Sequence, residues 1–508
     1  MSSWEKIKKI EKLNEILDNH RVNGRKIVHC HGIFDILHIG HIRYLEQAKQ
    51  LGDVLVVTVT PDRYVDRGPG RPAFNELLRA ESLASLHFVD YVAINQWPTA
   101  VEAIRLIKPD FYVRGADFKN RPPDTLGISA TEEDVVKEVG ATLAHTDDIH
   151  FSSSVLINRY LSGFSEEVQD YLNVFRQRYK CDQILQTIDN MAKLNVLVIG
   201  DTILDEYQYC EAIGQSSKDP VLALKYQSHD LFAGGVLAIA NHVANFANSV
   251  KLVTVLGEKD SHEDFIRSQL KTNIDPYFII QDHAPTLIKR RFIEGYSLTK
   301  LFEVYVMDCS GLNGEKNNQL CQWVQEHAAN YDLVIAADFG HGAISEALVN
   351  TLVKSSPFLC VNTQANAGNR GFNTISKYPR VDYACIAAHE LRLETRTLNG
   401  DIKPMMETIA KKLTCKQFVV TQGRRGALVR NSTGDFIEVP SFAQNIVDRV
   451  GAGDAFFAVT SLAAAQSAPA ELIGFIGNVV GSLAVEIVGN KKAIDRQSTQ
   501  KFITNLLR

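Results

Sequence analysis

The stretch from residue 26 to residue 49 constrains the fold more than any other part of this chain. Lys26–Cys30 is a short, largely apolar run that is typical of a buried strand. Ile42–Lys49 carries apolar residues at helical spacing, and Gly32 and Gly40 lie between the two segments. A strand, a glycine-containing turn and a helix direct backbone N–H groups and the positive helix end at one point. The sequence therefore predicts a site for an anion such as phosphate at this turn.

Two histidines lie at the predicted start of that helix. His38 and His41 are three residues apart and so share a face of the first turn. Gly40, between them, lets a ligand approach the backbone closely. A His-x-x-His pair taken alone is more often two surface histidines of a helix. At a helix N-terminus, two imidazoles suit the phosphates of a nucleotide.

The complete string resembles the signature of the cytidylyltransferase-like nucleotidyltransferase superfamily. The matching positions are Gly32, Phe34, Asp35, His38, Gly40 and His41. The resemblance implies that these residues form a nucleotide site and that His38 and His41 stabilise charge on the α-phosphate while pyrophosphate leaves. It implies no covalent intermediate, so that catalysis consists of positioning and electrostatic stabilisation.

Other residues extend this resemblance to nucleotide binding. Lys49 and Arg79 lie where members of the superfamily contact phosphates, although either alone would be more typical of a solvated helix face. Arg114-Gly115-Ala116-Asp117 resembles the Lys-Gly-Gly-Asp of heptose-phosphate adenylyltransferases, which lies next to the base. Ser152, Ser153 and Ser154 resemble the Ser-Thr-Thr that opens the family's last helix, where hydroxyls and N–H groups would hold β- and γ-phosphates.

The first part of the chain alternates predicted strands and helices. Strands are predicted at 54–59, 91–94 and 111–115, with helices at 4–20 and 77–86. This alternation indicates a doubly wound parallel sheet, whose ligands bind at the carboxyl ends of the strands.

A second unit begins at Asn195. Residues 196–201 form another apolar run, and Gly234-Gly235 precedes a predicted helix over 236–246. We expect the strand to end at Gly200-Asp201. The segment resembles the opening of ribokinase-like (PfkB) sugar kinases, most of all the heptose kinases. The resemblance implies an α/β domain with a small β lid. It also implies a set of sugar-binding residues, namely Asp201, Asp205, Gly234, Gly235, Lys289 and Arg291.

The string Asp448–Phe456 carries the strongest signal of the second half. Glycines and an alanine before a helix form a nest of N–H donors that suits a transferring phosphoryl group. Asp454, at the helix start, is placed to take the proton of a sugar hydroxyl. The string resembles the PfkB signature Asp-Thr-x-Gly-Ala-Gly-Asp, with Arg449 in place of Thr. The resemblance implies nucleotide binding by Thr421, Gly423, Gly426, Gly451, Ala452 and Gly453.

Three departures from the PfkB pattern affect the expected chemistry. The Asn that follows Gly-Gly in the family is replaced near Ala238, and the Asn of Asn-x-x-Glu is Ala387. Glu390, which the resemblance associates with Mg²⁺, is retained. The heptose kinases' Asp-Pro-Lys appears as Asn362-Thr363-Gln364. These changes leave the identity of the sugar and the rate of the kinase open.

Length and composition limit the number of domains and the kinds of binding partner that the chain can have. The chain has 508 residues, too many for one core, which predicts two or three domains. With 54 basic and 59 acidic residues, its formal net charge of −5 gives no support for a nucleic-acid or anionic-membrane partner. No Cys-x-x-Cys pair and no apolar run of membrane-spanning length occurs, and Met1–Lys6 lacks the apolar core of a signal peptide. We therefore expect a reduced, cytoplasmic protein.

The organisation we predict is a nucleotidyltransferase domain over 1–162, a helical linker over 163–193 and a sugar kinase domain over 194–508. It resembles the bifunctional heptose kinase/adenylyltransferases with the modules in reversed order. The resemblance implies Mg²⁺, ATP or CTP in the first domain, small-molecule substrates and a homodimer or higher oligomer. Two alternatives stay open: a cytidylyltransferase for glycerol phosphate or a related phosphate, and a degenerate kinase unit that dimerises or senses sugar.

Overall fold

The computed structural model describes residues 3–65, 71–115, 128–146, 164–308 and 310–507. The chain divides into two compact units. The first comprises Met1–Gly163 with Thr504–Leu506, and the second comprises Phe164–Ile503 with Leu507. Within the described residues, no helix is both long and apolar enough to cross a bilayer.

The first unit is a parallel α/β sheet. Its elements in chain order are α1 (Ser3–Lys6), α2 (Ile10–Val22), β1 (Ile27–Gly32), α3 (Ile39–Lys49), β2 (Val54–Val59), α4 (Glu76–Ala84), β3 (Tyr91–Ile94), α5 (Val101–Ile107), β4 (Phe111–Arg114), α6 (Ile128–Glu138) and β5 (Thr142–His145). Among the described residues, five strands pair in the order β3-β2-β1-β4-β5, all parallel. The order reverses between β1 and β4, so the ligand crevice of such a sheet lies at the carboxyl end of β1.

The helix predicted over residues 4–20 is interrupted. Ile7 forms a parallel bridge with Val92 of β3, and the Lys8 N–H donates to the Val92 carbonyl over 2.8 Å. The chain therefore enters the sheet edge between α1 and α2.

The second unit contains the remaining elements. They are α7 (Glu166–Arg178), α8 (Cys181–Met191), β6 (Asn195–Gln215), β7 (Leu222–Gly235), α9 (Val236–Ala244), β8 (Ser249–Lys259), α10 (Glu263–Gln269), β9 (Ile274–Pro285), β10 (Ile288–Glu294), β11 (Thr299–Val306), α11 (Gly314–His327), β12 (Leu333–Asp338), α12 (Glu346–Ser355), β13 (Leu359–Thr363), β14 (Tyr383–Ala387), α13 (Ala388–Thr395), α14 (Ile402–Lys412), β15 (Gln417–Thr421), β16 (Ala427–Arg430), β17 (Phe436–Val439), α15 (Ala452–Ala465), α16 (Ala470–Ala484) and α17 (Arg496–Leu506).

Strand β6 belongs to two sheets. Its first seven residues pair in parallel with β8, and five of them also pair with β12, in the buried central sheet. Thr202–Gln215 then pairs with β7 on one side, and Leu204–Cys210 pairs with β10 on the other. We call Thr202–Gln215, β7, β10 and β11 the lid sheet. The expectation that the strand ends at Gly200-Asp201 is wrong, because pairing with β7 and β10 continues the strand to Gln215.

The stretch between the two sets of strands forms helices α7 and α8. The Phe175 ring of α7 stacks on Phe475 of α16 with centroids 4.2 Å apart. Arg178 lies 3.2 Å from Glu471 of the same helix. Both helices fall within the second unit.

Candidate active sites

The turn after β1 brings the His38–His41 motif to the crevice of the first unit. Phe34 adopts a positive φ of 50°, which turns the chain sharply after β1. His38 then caps α3, because the Gly40 N–H donates to its Nδ1 over 3.1 Å. A helix start held in this way leaves its N–H groups directed at the crevice.

The two histidine rings form one compact pair. Their centroids are 3.9 Å apart with an interplanar angle of 24°, and the Phe34 and His41 rings pack edge to face. Burial lowers the pKa of both histidines, to about 3 for His41, where the neighbouring His38 lowers it further. Within the described part of the chain, His38 Nε2 and His41 Nδ1 have no hydrogen-bond partner. Unsatisfied buried nitrogens of this kind call for a ligand.

Asp35 and Arg79 hold the loops around this turn. Asp35 accepts a 2.6 Å bond from the Ala73 N–H and pairs with Arg71 at 3.3 Å. The Arg79 guanidinium is buried and donates to four groups, the carbonyls of Phe74, Ile33 and Thr60 and the Asp62 carboxylate. Arg79 therefore lies beside the motif, with most of its donors bound to protein atoms.

Arg114 and Lys49 are placed differently. Arg114 ends β4, next to β1, and pairs with buried Glu132 at 2.7 Å. Lys49 occupies the last turn of α3, about 16 Å along the helix from His38. It binds Asp90 at 2.5 Å, so the structure does not bring it to the histidines. Gly115 follows β4, whereas Asp117, Ser152, Ser153 and Ser154 lie outside the described residues.

A group of polar residues at the ends of β1 and β2 was missed by the sequence reasoning. His31 bonds Thr58 Oγ1 through Nδ1 at 2.8 Å and Thr60 Oγ1 through Nε2 at 3.2 Å. His29 bonds the same Thr58 hydroxyl at 2.8 Å. These bonds join the strand ends beneath the motif. Histidines at i and i+2 in a buried strand share one face, and that spacing was the available signal.

In the second unit, the Gly451–Asp454 turn forms an anion cradle. Gly451 caps α15 with a φ of 83°, and a Cβ there would lie 2.2 Å from Asn490 Oδ1. The Ala455 N–H donates to the Gly451 carbonyl, which leaves the N–H groups of Ala452, Gly453 and Asp454 outside the helix ladder. The space in front of Gly453 is open. N–H groups of a helix start that lie outside the ladder suit a phosphoryl group.

Asp454 carries a strongly perturbed carboxyl group. Its pKa is raised to about 7, chiefly by burial and then by the like charge of Asp205, while Lys289 acts in the opposite direction. A carboxyl group with a pKa near 7 can take a proton at neutral pH.

The lid sheet supplies charged residues that face this turn. Asp205 of β6 bonds Arg291 of β10, which also reaches Glu303 at 2.8 Å. Lys289 is only 4% exposed, and its pKa is lowered by burial. Gly234 is required here because a Cβ would lie 2.1 Å from Asp205 Oδ2. The predicted sugar residues Asp205, Lys289 and Arg291 are thus neighbours.

Asp201 supports a loop. Its two oxygens accept 2.9 Å bonds from the Phe339 and Ala343 N–H groups. Burial, followed by the like charge of Asp338, raises its pKa to about 6. Gly235 lies beside it with a φ of 55°, and a Cβ there would meet the Asp201 carbonyl at 2.7 Å.

Glu390 is the candidate Mg²⁺ residue. Burial raises its pKa to about 7, and it accepts N–H bonds from Ala365 at 3.0 Å and Ala387 at 2.6 Å. In the described ranges, no group of three or more His, Cys, Asp or Glu residues could hold a metal. Because Mg²⁺ usually binds one or two carboxylates together with substrate phosphates, Glu390 fits an ion carried by a nucleotide.

The third group of predicted nucleotide residues ends β15. Thr421 is the last residue of that strand, and Gly423 has a φ of 60° with open space around it. Gly426, with a φ of 87°, lies so close to β17 that a Cβ would be 2.1 Å from the Val439 carbonyl. The turn therefore leaves the backbone at Gly423 uncovered by other side chains.

The folds and the two sites define a nucleotidyltransferase-like unit followed by a ribokinase-like unit. Residues 193–495 match the pfkB family of carbohydrate kinases, and residues 29–159 match the cytidylyltransferase-like family. The first match covers more than half of the chain, so the chain belongs to the pfkB carbohydrate kinase family. The predicted fold of each unit is confirmed.

Curated relatives resemble the nucleotidyltransferase part. The bifunctional protein HldE of Campylobacter jejuni strain RM1221 is 47% identical over 116 residues, 22% of this chain and 25% of the relative. HldE of Syntrophotalea carbinolica is 34% identical over 164 residues, 32% of each chain. The matched segment thus spans about a quarter to a third of the length of these relatives.

Solved structures resemble the kinase unit. Escherichia coli phosphofructokinase-2 with substrates and products has a TM-score of 0.51 and 18% identity, over 62% of this chain and 100% of that chain. A putative ribokinase from Agrobacterium tumefaciens has a TM-score of 0.50 and 14% identity, over 61% and 98%. At these identities, the similarity shows the fold alone.

Proposed function

We propose that this chain is a bifunctional enzyme that makes a nucleotide-activated sugar. Its second unit phosphorylates a heptose-like sugar or sugar phosphate with ATP, at the anomeric hydroxyl. Its first unit transfers a nucleotidyl group from a nucleoside triphosphate, with ATP favoured over CTP, to a sugar 1-phosphate and releases pyrophosphate. The observation that carries the proposal is the presence of both family matches, each with its own site, in one chain.

The kinase step follows from the groups around the cradle. The N–H groups of Ala452 and Gly453 stabilise charge on the transferring phosphoryl group. Asp454 accepts the proton of the acceptor hydroxyl, and its pKa of about 7 suits this role. Asp205, Lys289 and Arg291 of the lid sheet orient the acceptor. Mg²⁺ bound with the nucleotide, near Glu390, would offset the charge of the phosphates.

The nucleotidyl step rests on the stacked histidines. With pKa values below their ordinary range, His38 and His41 are neutral, so each can donate one hydrogen bond. In His38 the donor is Nε2, because Nδ1 accepts from the Gly40 N–H. The unpartnered nitrogens are available to the oxygens of the α-phosphate, where charge develops as pyrophosphate leaves. Arg114 and Gly115 lie beside this crevice and contribute to base recognition.

We also propose a homodimer or higher oligomer. The lid sheet exposes large apolar side chains, including Tyr226 at 55%, Phe302 at 49% and Val304 at 43%. Sedimentation of the full chain, with Phe302→Glu as the interface variant, measures this state.

A substrate screen tests the proposal. The purified chain is incubated with MgATP or MgCTP and a panel of heptoses, their 7- and 1-phosphates, and glycerol 3-phosphate. We expect ADP only with a heptose-type acceptor, and pyrophosphate only with a sugar 1-phosphate. Pyrophosphate release with glycerol 3-phosphate and CTP, without any sugar-dependent ADP, would instead support the alternative of a cytidylyltransferase with a degenerate kinase unit.

A further inference from the structure

Asp448 connects the lid sheet to the segment that leads into the anion cradle. It lies three residues before Gly451 and is only 8% exposed. Two partners come from the lid sheet: the Tyr207 hydroxyl donates to Oδ2 over 2.6 Å, and Lys300 Nζ donates to Oδ1 over 2.6 Å. The carboxylate thus accepts from β6 and from β11 together.

The other two partners of Asp448 belong to the loops around the cradle. The Val450 N–H donates to Oδ1 over 3.1 Å, and the Gly489 N–H donates to Oδ2 over 3.0 Å. Burial opposes ionisation of this carboxyl, yet its pKa is lowered, because Lys300, Tyr207 and the two N–H groups all bond the charged form. Each carboxylate oxygen therefore has one bond to the lid and one to the cradle loops.

A second contact runs in parallel. Asn490 follows Gly489, and its Nδ2 donates to Asp205 of the lid over 3.3 Å. Its Oδ1 lies against Gly451, where a Cβ would approach to 2.2 Å. The position of the lid and the conformation of the cradle turn are therefore linked through two adjacent side chains.

We propose that Asp448, Tyr207 and Lys300 form a latch that couples the closed lid to the assembled anion cradle. Asp448 is a positioning residue in this scheme, since it touches lid and backbone rather than substrate. The closed lid excludes water, so the latch directs the phosphoryl group to the acceptor instead of to water. The catalytic consequence rests on the proposed kinase function; the structural coupling does not.

Hydrogen–deuterium exchange of the full chain tests the coupling without any substrate. The variants are Lys300→Met and Tyr207→Phe, which each remove one latch bond and keep most of the side-chain volume. Loss of a charge-assisted bond is expected to speed exchange about tenfold in residues 299–306. The latch predicts a similar change in the amides of Ala455–Phe457, although the hydrogen bonds that the two variants remove are made to Asp448 and not to these residues.

The control is Lys225→Met, also on the lid sheet. Lys225 is largely exposed and pairs with Glu211 at 3.9 Å, away from Asp448. It is expected to leave the exchange at residues 455–457 unchanged. If both latch variants alter the lid strands alone, or alter nothing, the coupling is overturned.

A partition assay tests the catalytic consequence. The enzyme is given MgATP and a heptose 7-phosphate, and two products are measured: inorganic phosphate from ATP hydrolysis and phosphorylated sugar. The ratio of inorganic phosphate to phosphorylated sugar does not depend on the fraction of folded enzyme. Lys300→Met is expected to raise the ratio about tenfold, and Tyr207→Phe by roughly threefold or more. An unchanged ratio in both variants overturns the catalytic role. A wild type without sugar-dependent turnover contradicts the proposed function, while the exchange result still decides the latch.

Discussion

Asp454 is the residue whose environment says most about its chemistry. An aspartate at a helix N-terminus is ordinarily stabilised as an anion by the helix dipole. Here burial, together with the negative charges of Asp205 and Glu390, outweighs that effect and raises the pKa to about 7. The carboxyl group is thus basic enough to accept a proton and is held on a fixed element.

The first prediction concerns pH. Because Asp454 accepts a proton only as the carboxylate, sugar-dependent ADP formation should rise with pH and level off above about pH 7. A pH–kcat profile at saturating ATP measures this rise. A profile flat down to pH 5 would show that no group with this pKa limits the step.

The second prediction concerns stability. Because its pKa is higher in the folded than in the unfolded state, the Asp454 carboxylate destabilises the fold above pH 7, and the effect vanishes below about pH 4. Asp454→Asn should therefore raise the Tm of the kinase unit by a few degrees at pH 8. Calorimetry at pH 8 and pH 4 measures the difference; an equal or lower Tm at pH 8 contradicts it.

At this scale, sequence motifs indicated two candidate sites but not the partners of each side chain. The strings containing His38 and Gly451 specify local backbone conformations, so their placement follows from nearby residues. Lys49 and Arg79 are long side chains whose direction depends on tertiary neighbours. Asp90 and Asp62, which bind them, could not be assigned to them from spacing along the chain.

At the scale of elements, buried strands were the most predictable. The apolar runs 54–59 and 91–94 coincide with β2 and β3. The continuation of β6 to Gln215 was not predicted. It depends on tertiary pairing with β10, which lies some distance along the chain, and on a neighbouring antiparallel pairing with β7, which begins at Leu222. The pattern of the motif-free stretch 163–193 predicts helix. Its packing surface on α16 depends on residues almost 300 positions away, so it is not predictable from that stretch.

The third prediction concerns α7. Phe175 is fully buried and stacks on Phe475, so α7 should stabilise the kinase unit rather than act as a free tether. Phe175→Ala should lower the free energy of unfolding of that unit by about 3–5 kcal/mol. Val174→Ala, at a 45% exposed position of the same helix, is the control. Chemical denaturation measures both; equal stabilities would contradict a packed role for α7.

At the scale of the whole molecule, the boundary between the units lies at residue 163/164. The fourth prediction is that residues 1–163 fold alone. The kinase unit is expected to fold stably only when α7 and α8 are present, as in residues 164–508. A fragment beginning at residue 194 should expose Phe475 and lose stability or aggregate. Circular dichroism and thermal melting of the three fragments test this. A stable 194–508 fragment, or an unfolded 1–163 fragment, counts against the division.

In the proposed enzyme, two separate sites in one chain perform two different transfers. The most direct test is ³¹P NMR of wild type, His41→Ala and Asp454→Asn, each given MgATP with a heptose 7-phosphate and, separately, with a heptose 1-phosphate. Wild type should form an anomeric phosphate in the first case and pyrophosphate in the second.

In that measurement, His41→Ala should lose only pyrophosphate release. Its activation barrier for nucleotidyl transfer should rise by about 3–4 kcal/mol, as for loss of an oxyanion donor. Asp454→Asn should lose only anomeric phosphorylation. The rate of that step should fall by about 10²–10⁴-fold, as for loss of a general base. Loss of both signals in either variant, or of neither, would contradict two independent active sites.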